Sequence, residues 1–235
     1  MISQTGELYL IATPIGNLND LTLRAIEILQ SLDLILCEDT RVSGKLLEHI
    51  KTLSNKEFIR PKLLAFHDHN EFKLLPQIID FLKSGQKIGL ISDAGTPLIS
   101  DPGYKLVRSC LEQNIHVQAL PGASSVLTAL TLSGFPPDKF LFIGYLPRKS
   151  GQRKILIKNL NITPFAHTTI IAFESPYRLI ASLQDLLETR GDLEVCVCRE
   201  LTKMYEEVKR GKVSDVIAYF GKKSVKGEIV LLFQI

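Results

Sequence analysis

The sequence predicts an α/β protein of two αβα domains with mostly parallel sheets. Three observations carry that prediction. Short apolar runs alternate with segments of helical periodicity along nearly the whole chain. Loops dense in Gly, Pro, Asp and hydroxyl residues stand where those runs end, which is where open α/β sheets place ligands. The alternation pauses at Gly134-Phe135-Pro136-Pro137-Asp138 and then restarts. The 235 residues suffice for two domains of about 100–150, expected at 1–122 and 123–235. A cleft between two such halves is a favoured ligand site.

Each element follows from its pattern. Glu7–Ala12 is a short apolar strand, and Thr13–Asp20 is its loop. Leu21–Leu32 carries Leu23, Ile26 and Leu29 at helical spacing, with Thr22 placed to cap it. Leu34–Cys37 is a strand ending in Glu38-Asp39-Thr40-Arg41, and Val42–Ile50 is helical. Strand Lys62–Phe66 leads through His67-Asp68-His69-Asn70-Glu71 into helix Phe72–Ser84, in which Pro76 marks the first turn or a kink. Strand Lys87–Ile91 is followed by the long loop Ser92–Gly103 and helix Tyr104–Gln113. Ordinary connections of this kind run about two to six residues, so this loop is too long to be a simple turn. Val117–Leu120 is a strand, ending in Pro121-Gly122-Ala123-Ser124-Ser125 before a helix through Leu132.

The second half opens with strand Phe140–Gly144 and the basic helix Gln152–Asn159. Thr168–Phe173 is a β-branched strand. Pro176–Arg190 is a helix with Pro in its first turn and Gly191 beyond its end. Glu194–Arg199 and Glu206–Lys209 are strands, Val213–Phe220 is a helix, and Gly227–Gln234 is a strongly apolar last strand.

Composition excludes several classes. With 45% hydrophobic and 23% charged residues, this is globular composition. No apolar run reaches the roughly 18 residues of a membrane span, and the start lacks a signal-peptide pattern, so a cytoplasmic location is expected. Cys37, Cys110, Cys196 and Cys198 read as buried thiols in a reducing compartment. His67 and His69 form an H-x-H without a partner cluster, so no metal is expected. The glycines spell neither G-x-G-x-x-G nor a P-loop. Net charge is +3 overall, −3 over residues 1–138 and +6 over 139–235. Between Lys139 and Phe173 there is no acidic residue, while Arg148, Lys149, Arg153, Lys154 and Lys158 fall there. Such a run suits a polyanion such as nucleic acid.

The loops together carry a resemblance. Thr13–Asp20, Glu38–Arg41, Phe66–Glu71, Ser92–Gly103, Leu120–Gly122, Phe173-Glu174-Ser175-Pro176-Tyr177-Arg178 and Arg199–Lys203 are similar to those of the tetrapyrrole methylase superfamily, in its branch that modifies small-subunit ribosomal RNA. The likeness runs from residue 7 to about residue 233. It implies two α/β domains with S-adenosylmethionine in the cleft between them, and a homodimer. It also implies 2′-O-methylation of a cytidine ribose in 16S rRNA of the 30S subunit, near the decoding centre. Two departures stand out. Pro121-Gly122-Ala123-Ser124 replaces the family's usual Pro-Gly-Pro-Ser, and the chain ends soon after its last strand where some relatives carry a further segment.

Such a cofactor needs donors and an acceptor for its amino acid end, and a flat apolar slot for adenine. Asp93, Gly95 and Thr96, at the mouth of a strand, suit the first role. Ala123, Ser124, Phe173 and Gly227, in the loop before the last strand, are expected to line the cleft from the other side, with Pro14 and Ile15 closing it. Methyl transfer to a ribose oxygen is an in-line displacement helped by alignment and by a base. Glu38 or Glu174 is expected to hold the ribose or take its proton, and Arg41 and Arg178 to hold phosphates. A methylase of a small tetrapyrrole and a non-catalytic 30S-binding assembly protein are the competing readings. The acid-free basic stretch counts against the first, and the small residues of the loops against the second.

Overall fold

The computed structural model describes residues 6–53, 58–160 and 168–234. The chain forms two compact units, Met1–Ser124 and Ser125–Ile235. The α/β class holds in both, each with a five-stranded sheet of its own.

In the first unit, strands β1 (Glu7–Ile11), β2 (Leu34–Cys37), β3 (Lys62–Ala65), β4 (Lys87–Leu90) and β5 (His116–Leu120) make an all-parallel sheet in the order β3-β2-β4-β1-β5. Helices α1 (Leu23–Ser31), α2 (Thr40–Leu53), α3 (Glu71–Lys83) and α4 (Tyr104–Glu112) connect the strands. Successive strand side chains point to opposite faces, and each face has its own core. Tyr9, Ile11, Ile35 and Cys37 pack with Leu29 of α1 and Leu47 and Ile50 of α2. Leu8, Leu34, Leu36 and Ile88 pack with Ile78 and Leu82 of α3 and Leu106 of α4. The strands therefore read as continuous apolar runs, as parallel strands buried on both faces do. Thr22 caps α1 as its position predicts, its Oγ1 accepting from Ala25 N at 3.1 Å.

The second unit begins with α5 (Ser125–Ser133), so the Gly134–Asp138 segment is a turn inside this unit. Its sheet, in the order β6-β7-β10-β8-β9, is made by β6 (Phe140–Tyr145), β7 (Thr169–Glu174), β8 (Glu194–Arg199), β9 (Glu207–Lys212) and β10 (Ile229–Gln234). Only β6 and β7 pair in parallel here; β10 runs antiparallel to both β7 and β8, and β9 antiparallel to β8. A last strand inserted between two earlier ones gives this mixed sheet. Helices α6 (Ser150–Asn159), α7 (Leu179–Arg190) and α8 (Val213–Phe220) cover one face through Ile157, Leu183, Leu186, Val216 and Phe220. Helix α5 packs on β8, β9 and β10.

Helix α7 starts at Leu179, three residues later than Pro176 predicted. The Ser175 carbonyl accepts from both Arg178 N and Leu179 N at 3.0 Å, so Pro176-Tyr177-Arg178 is a turn that feeds the helix. Strand β9 is longer than expected because its whole length pairs with β8, from Glu194↔Lys212 to Arg199↔Glu207.

Candidate functional site

Strand order fixes where the first unit can hold a ligand. From β1 and β2 the chain moves toward the β3 edge; from β4 it moves toward β5. Strand β4 lies between β2 and β1, so connections of opposite direction leave adjacent carboxyl ends. Such a switch point opens a crevice. The three loops that leave it are Ala12–Thr22, Glu38–Asp39 and Ser92–Gly103, which are three of the motifs singled out in the sequence.

The loop after β4 is tied to both neighbours. Thr13 and Gly95 exchange backbone hydrogen bonds at 2.9 and 3.0 Å. Thr13 Oγ1 donates to the Ser92 carbonyl at 3.1 Å, and Thr96 Oγ1 to the Ala123 carbonyl at 3.1 Å. On the other side Asp39 N donates to Asp93 Oδ1 at 3.1 Å. Gly95 has φ +86°, and a Cβ there would lie 3.2 Å from Ile15 Cγ2 and 3.8 Å from the Ala123 carbonyl oxygen. Only glycine takes that conformation without strain, and the backbone is left bare. Pro14 and Ile15 are buried beside it, whereas Ala123 and Ser124 are half-buried. The structure thus brings Pro14, Ile15, Asp93, Gly95, Thr96 and Ala123 into one set of bonded loops, with Ser124 next in the chain.

Carboxyl groups crowd the same crevice. Glu38 is pushed up to about 7, chiefly by burial, then by the charges of Asp101 and Asp93. Glu38 and Asp101 share a side-chain hydrogen bond, and burial raises Asp101 as well. Asp93 is raised by burial. A carboxyl that titrates near neutrality inside a crevice can take a proton during catalysis. Asp39 behaves differently: the Arg41 side chain and backbone hydrogen-bond it and hold it at about 2. Arg41 Nε lies 3.0 and 3.1 Å from the two Asp39 oxygens, with the Arg41 side chain 86% exposed. Sequence reasoning gave Asp101 no role. Its signal was present, as an acidic residue beside a Pro-Gly at the far end of the longest loop.

The remaining expected site residues lie in the second unit, at the end of its sheet where β7 finishes and β10 begins. Glu174 is buried at the end of β7, and its charge is used locally. It accepts from Ser175 N at 2.6 Å and from the Ser182 hydroxyl, and pairs with Arg178 at 2.6 Å. Arg178 also donates to the Leu146 carbonyl at 3.1 Å. Glu174 and Arg178 therefore bind each other and the start of α7. Phe173 meets Phe142 and Tyr145 edge-on at 4.9 and 5.4 Å. Gly227 has φ +91°, and a Cβ there would lie 2.4 Å from Glu200 Cγ and Cδ. Glu200 uses that space to accept from Glu228 N at 2.9 Å and Lys203 Nζ at 3.0 Å.

The basic stretch is less available than its sequence implies. Arg153 is 2% exposed and forms a buried ion pair with Asp185 of α7, at 2.5 Å. Lys154 pairs with Glu188 at 2.7 Å. Acids absent from the stretch itself are supplied by the neighbouring helix. Arg148, Lys149 and Lys158 remain exposed.

Comparison with known proteins agrees with this architecture. The sequence model of the family Tetrapyrrole (Corrin/Porphyrin) Methylases matches residues 7–217. Ribosomal RNA small subunit methyltransferase I of Rickettsia prowazekii is 47% identical over 99% of this chain and 79% of its own length. The protein of the same name from Thermotoga maritima is 45% identical over 97% of both chains. Among solved structures, uroporphyrin-III C-methyltransferase of Thermus thermophilus complexed with S-adenosyl homocysteine aligns with TM-score 0.63 at 17% identity, over 97% of both chains. A cobalt precorrin-4 methyltransferase aligns with TM-score 0.67 at 18% identity, over 97% of this chain and 94% of that one. At those identities the structural likeness speaks for the fold, while the curated relatives speak for descent. The chain belongs to the tetrapyrrole methylase family, within its ribosomal RNA small subunit methyltransferase I group.

Proposed function

We propose that this chain is an S-adenosylmethionine-dependent methyltransferase of small-subunit ribosomal RNA. It would act as a homodimer on the 30S subunit and methylate the 2′-oxygen of a cytidine ribose near the decoding centre. The observation that carries the reading is the 45–47% identity, across nearly the whole chain, to relatives of that name.

The residues of the switch-point crevice fit the cofactor. The bare backbone at Gly95, where a Cβ would press on Ile15, is a cradle for close approach. Raised carboxyl groups at Glu38, Asp101 and Asp93 favour a cationic ligand, because a positive charge relieves their mutual repulsion. Asp93 and Thr96 would hold the amino acid end, and Pro14, Ile15, Ala123 and Ser124 the adenine side. The assignment of Phe173 and Gly227 to the cofactor rests on the resemblance alone.

When bound, the sulfonium supplies an electrophilic methyl group. Glu38 is the carboxyl suited to take the hydroxyl proton of the ribose. Its pKa of about 7 leaves a useful anionic fraction at neutral pH while keeping it basic. Asp101, hydrogen-bonded to it, orients the carboxyl and shares its proton. Arg41 stays cationic and exposed, with its guanidinium fixed by Asp39, and would clamp a phosphate. Glu174 and Arg178 act by fixing the end of β7 and the start of α7.

Ribose-methylation mapping of small-subunit rRNA, from cells with and without this protein, tests the reading. The expected result is one ribose methyl group lost with the protein. An unchanged map, or methyl transfer to a tetrapyrrole instead, would overturn it.

A further inference from the structure

The second unit carries a cavity of about 370 Å3 outside the residues given a role above. The turn from β8 to β9 and the turn after α8 border it. Arg199, Tyr205, Glu207, Phe220, Lys223 and Val225 line it, with Met204 at the rim. Phe220 is buried and apolar, whereas Met204 is 89% and Tyr205 68% exposed. An aromatic ring beside a thioether at a cavity mouth offers a face on which a planar base can stack.

The walls are held in place. Glu207 accepts from Arg199 at 3.0 Å and Lys223 at 2.8 Å, and Lys223 sits 3.7 Å from the Tyr219 ring centre. The 200–206 turn places Glu200 and Thr202 at φ +52° and +65°, a conformation that side chains take only under constraint. Thr202 N donates to Glu206 Oε2 at 2.6 Å, which closes that turn and projects Met204 and Tyr205 outward. The facing turn, Gly221-Lys222-Lys223-Ser224-Val225-Lys226-Gly227, is basic between two glycines. Lys222 and Lys226 are exposed and form no ion pair among the described residues. These are free cations of the kind the 148–158 stretch only partly supplies.

We infer that this cavity receives one unstacked nucleotide of a single-stranded RNA, its base against Tyr205 and Met204 and its phosphates against Lys222 and Lys226. The volume lies at the small end of the about 300–1,000 Å3 of ligand sites, enough for one nucleotide. Base stacking on an aromatic flanked by cations is how single strands are commonly gripped. The inference rests on the RNA-methyltransferase reading and gives it a docking point away from the first unit's crevice.

The test uses the full chain and a fluorescent single-stranded RNA of about 12 nucleotides, read by anisotropy. Tyr205→Ala should weaken binding about 10- to 100-fold, while Tyr205→Phe keeps it. Lys222→Ala with Lys226→Ala should lower the slope of log affinity against log salt by about 1.4. S-adenosylmethionine uptake, measured by calorimetry, should be unchanged in all variants. Native RNA affinity in Tyr205→Ala overturns the inference, as does equal loss in Tyr205→Phe. So does a change from dimer to monomer in Tyr205→Ala that leaves RNA affinity intact, since a second copy would then be the occupant. If the unaltered protein transfers no methyl group to small subunits, the underlying reading fails instead, and the two failures are told apart.

Discussion

Replacing Glu38 by Gln removes a crevice carboxyl whose titration falls near neutrality. Its pKa stands at about 7 against an ordinary 4.5. The folded protein therefore binds more protons than the unfolded chain between those values, and stability falls as pH rises through them. The contribution is fully present below about 4.5 and lost above about 7. A shift of that size corresponds to at most about 3 kcal/mol. Glu38 is only half-buried, so solvent screening reduces this to about 1–2 kcal/mol. Glu38→Gln carries no charge and should be more stable than the parent by that amount at pH 8.5, with little difference at pH 5. It should also lose about 10²- to 10⁴-fold in turnover at saturating cofactor. Urea unfolding followed by circular dichroism at both pH values, with methyl incorporation into 30S subunits, measures both effects. A variant that matches the parent's pH dependence, or one that keeps native turnover, refutes the assignment.

Four further outcomes follow from particular positions. Gly95→Ala places a side chain in a left-handed conformation 3.2 Å from Ile15, so it should cost about 1–2 kcal/mol and weaken cofactor uptake measured by calorimetry. Arg153→Ala removes the nearest cation from the buried Asp185, which keeps Ser150 at 2.8 Å and Lys154 at 3.7 Å, and should cost about 3 kcal/mol in thermal or urea unfolding. Arg148→Ala, at an exposed position, should stay within about 0.5 kcal/mol. Glu174→Ala removes the acceptor for Ser175 N, Ser182 and Arg178, and it should lower the unfolding midpoint while cofactor affinity per folded molecule is retained.

Much of the fold was legible because its signals are local. Strands buried on both faces read as apolar runs, and Thr22 stood where a cap belongs. The first unit's site was legible for the same reason, since its loops follow strand ends directly. What sequence could not supply was pairing at a distance. Nothing in Gly227–Gln234 says that this strand enters between β7 and β8 and turns a parallel pattern into a mixed sheet. Nothing between residues 139 and 173 says that Asp185 and Glu188, from a later helix, neutralise Arg153 and Lys154. Leu23 was expected on the apolar stripe of its helix; as the first helical residue it is 79% exposed, while Ala25 and Leu29 carry the burial. Glu38 and Glu174 looked equivalent, each an acid at a strand end. Their surroundings separate them: burial, then the charges of Asp101 and Asp93, leaves one near neutrality, and Arg178 with Ser182 occupies the other.

The central claim is that the crevice formed by the loops after β1, β2 and β4 binds a cationic methyl donor and that Glu38 loses its proton there. Calorimetric titration of S-adenosylmethionine into the purified protein, at pH 6 and pH 8 in buffers of different ionisation enthalpy, tests it most directly. The account predicts one site per chain, tighter at pH 8, with protons released at pH 6 and the release abolished in Glu38→Gln. Absence of uptake by the folded protein, or uptake whose proton release survives that substitution, would contradict it.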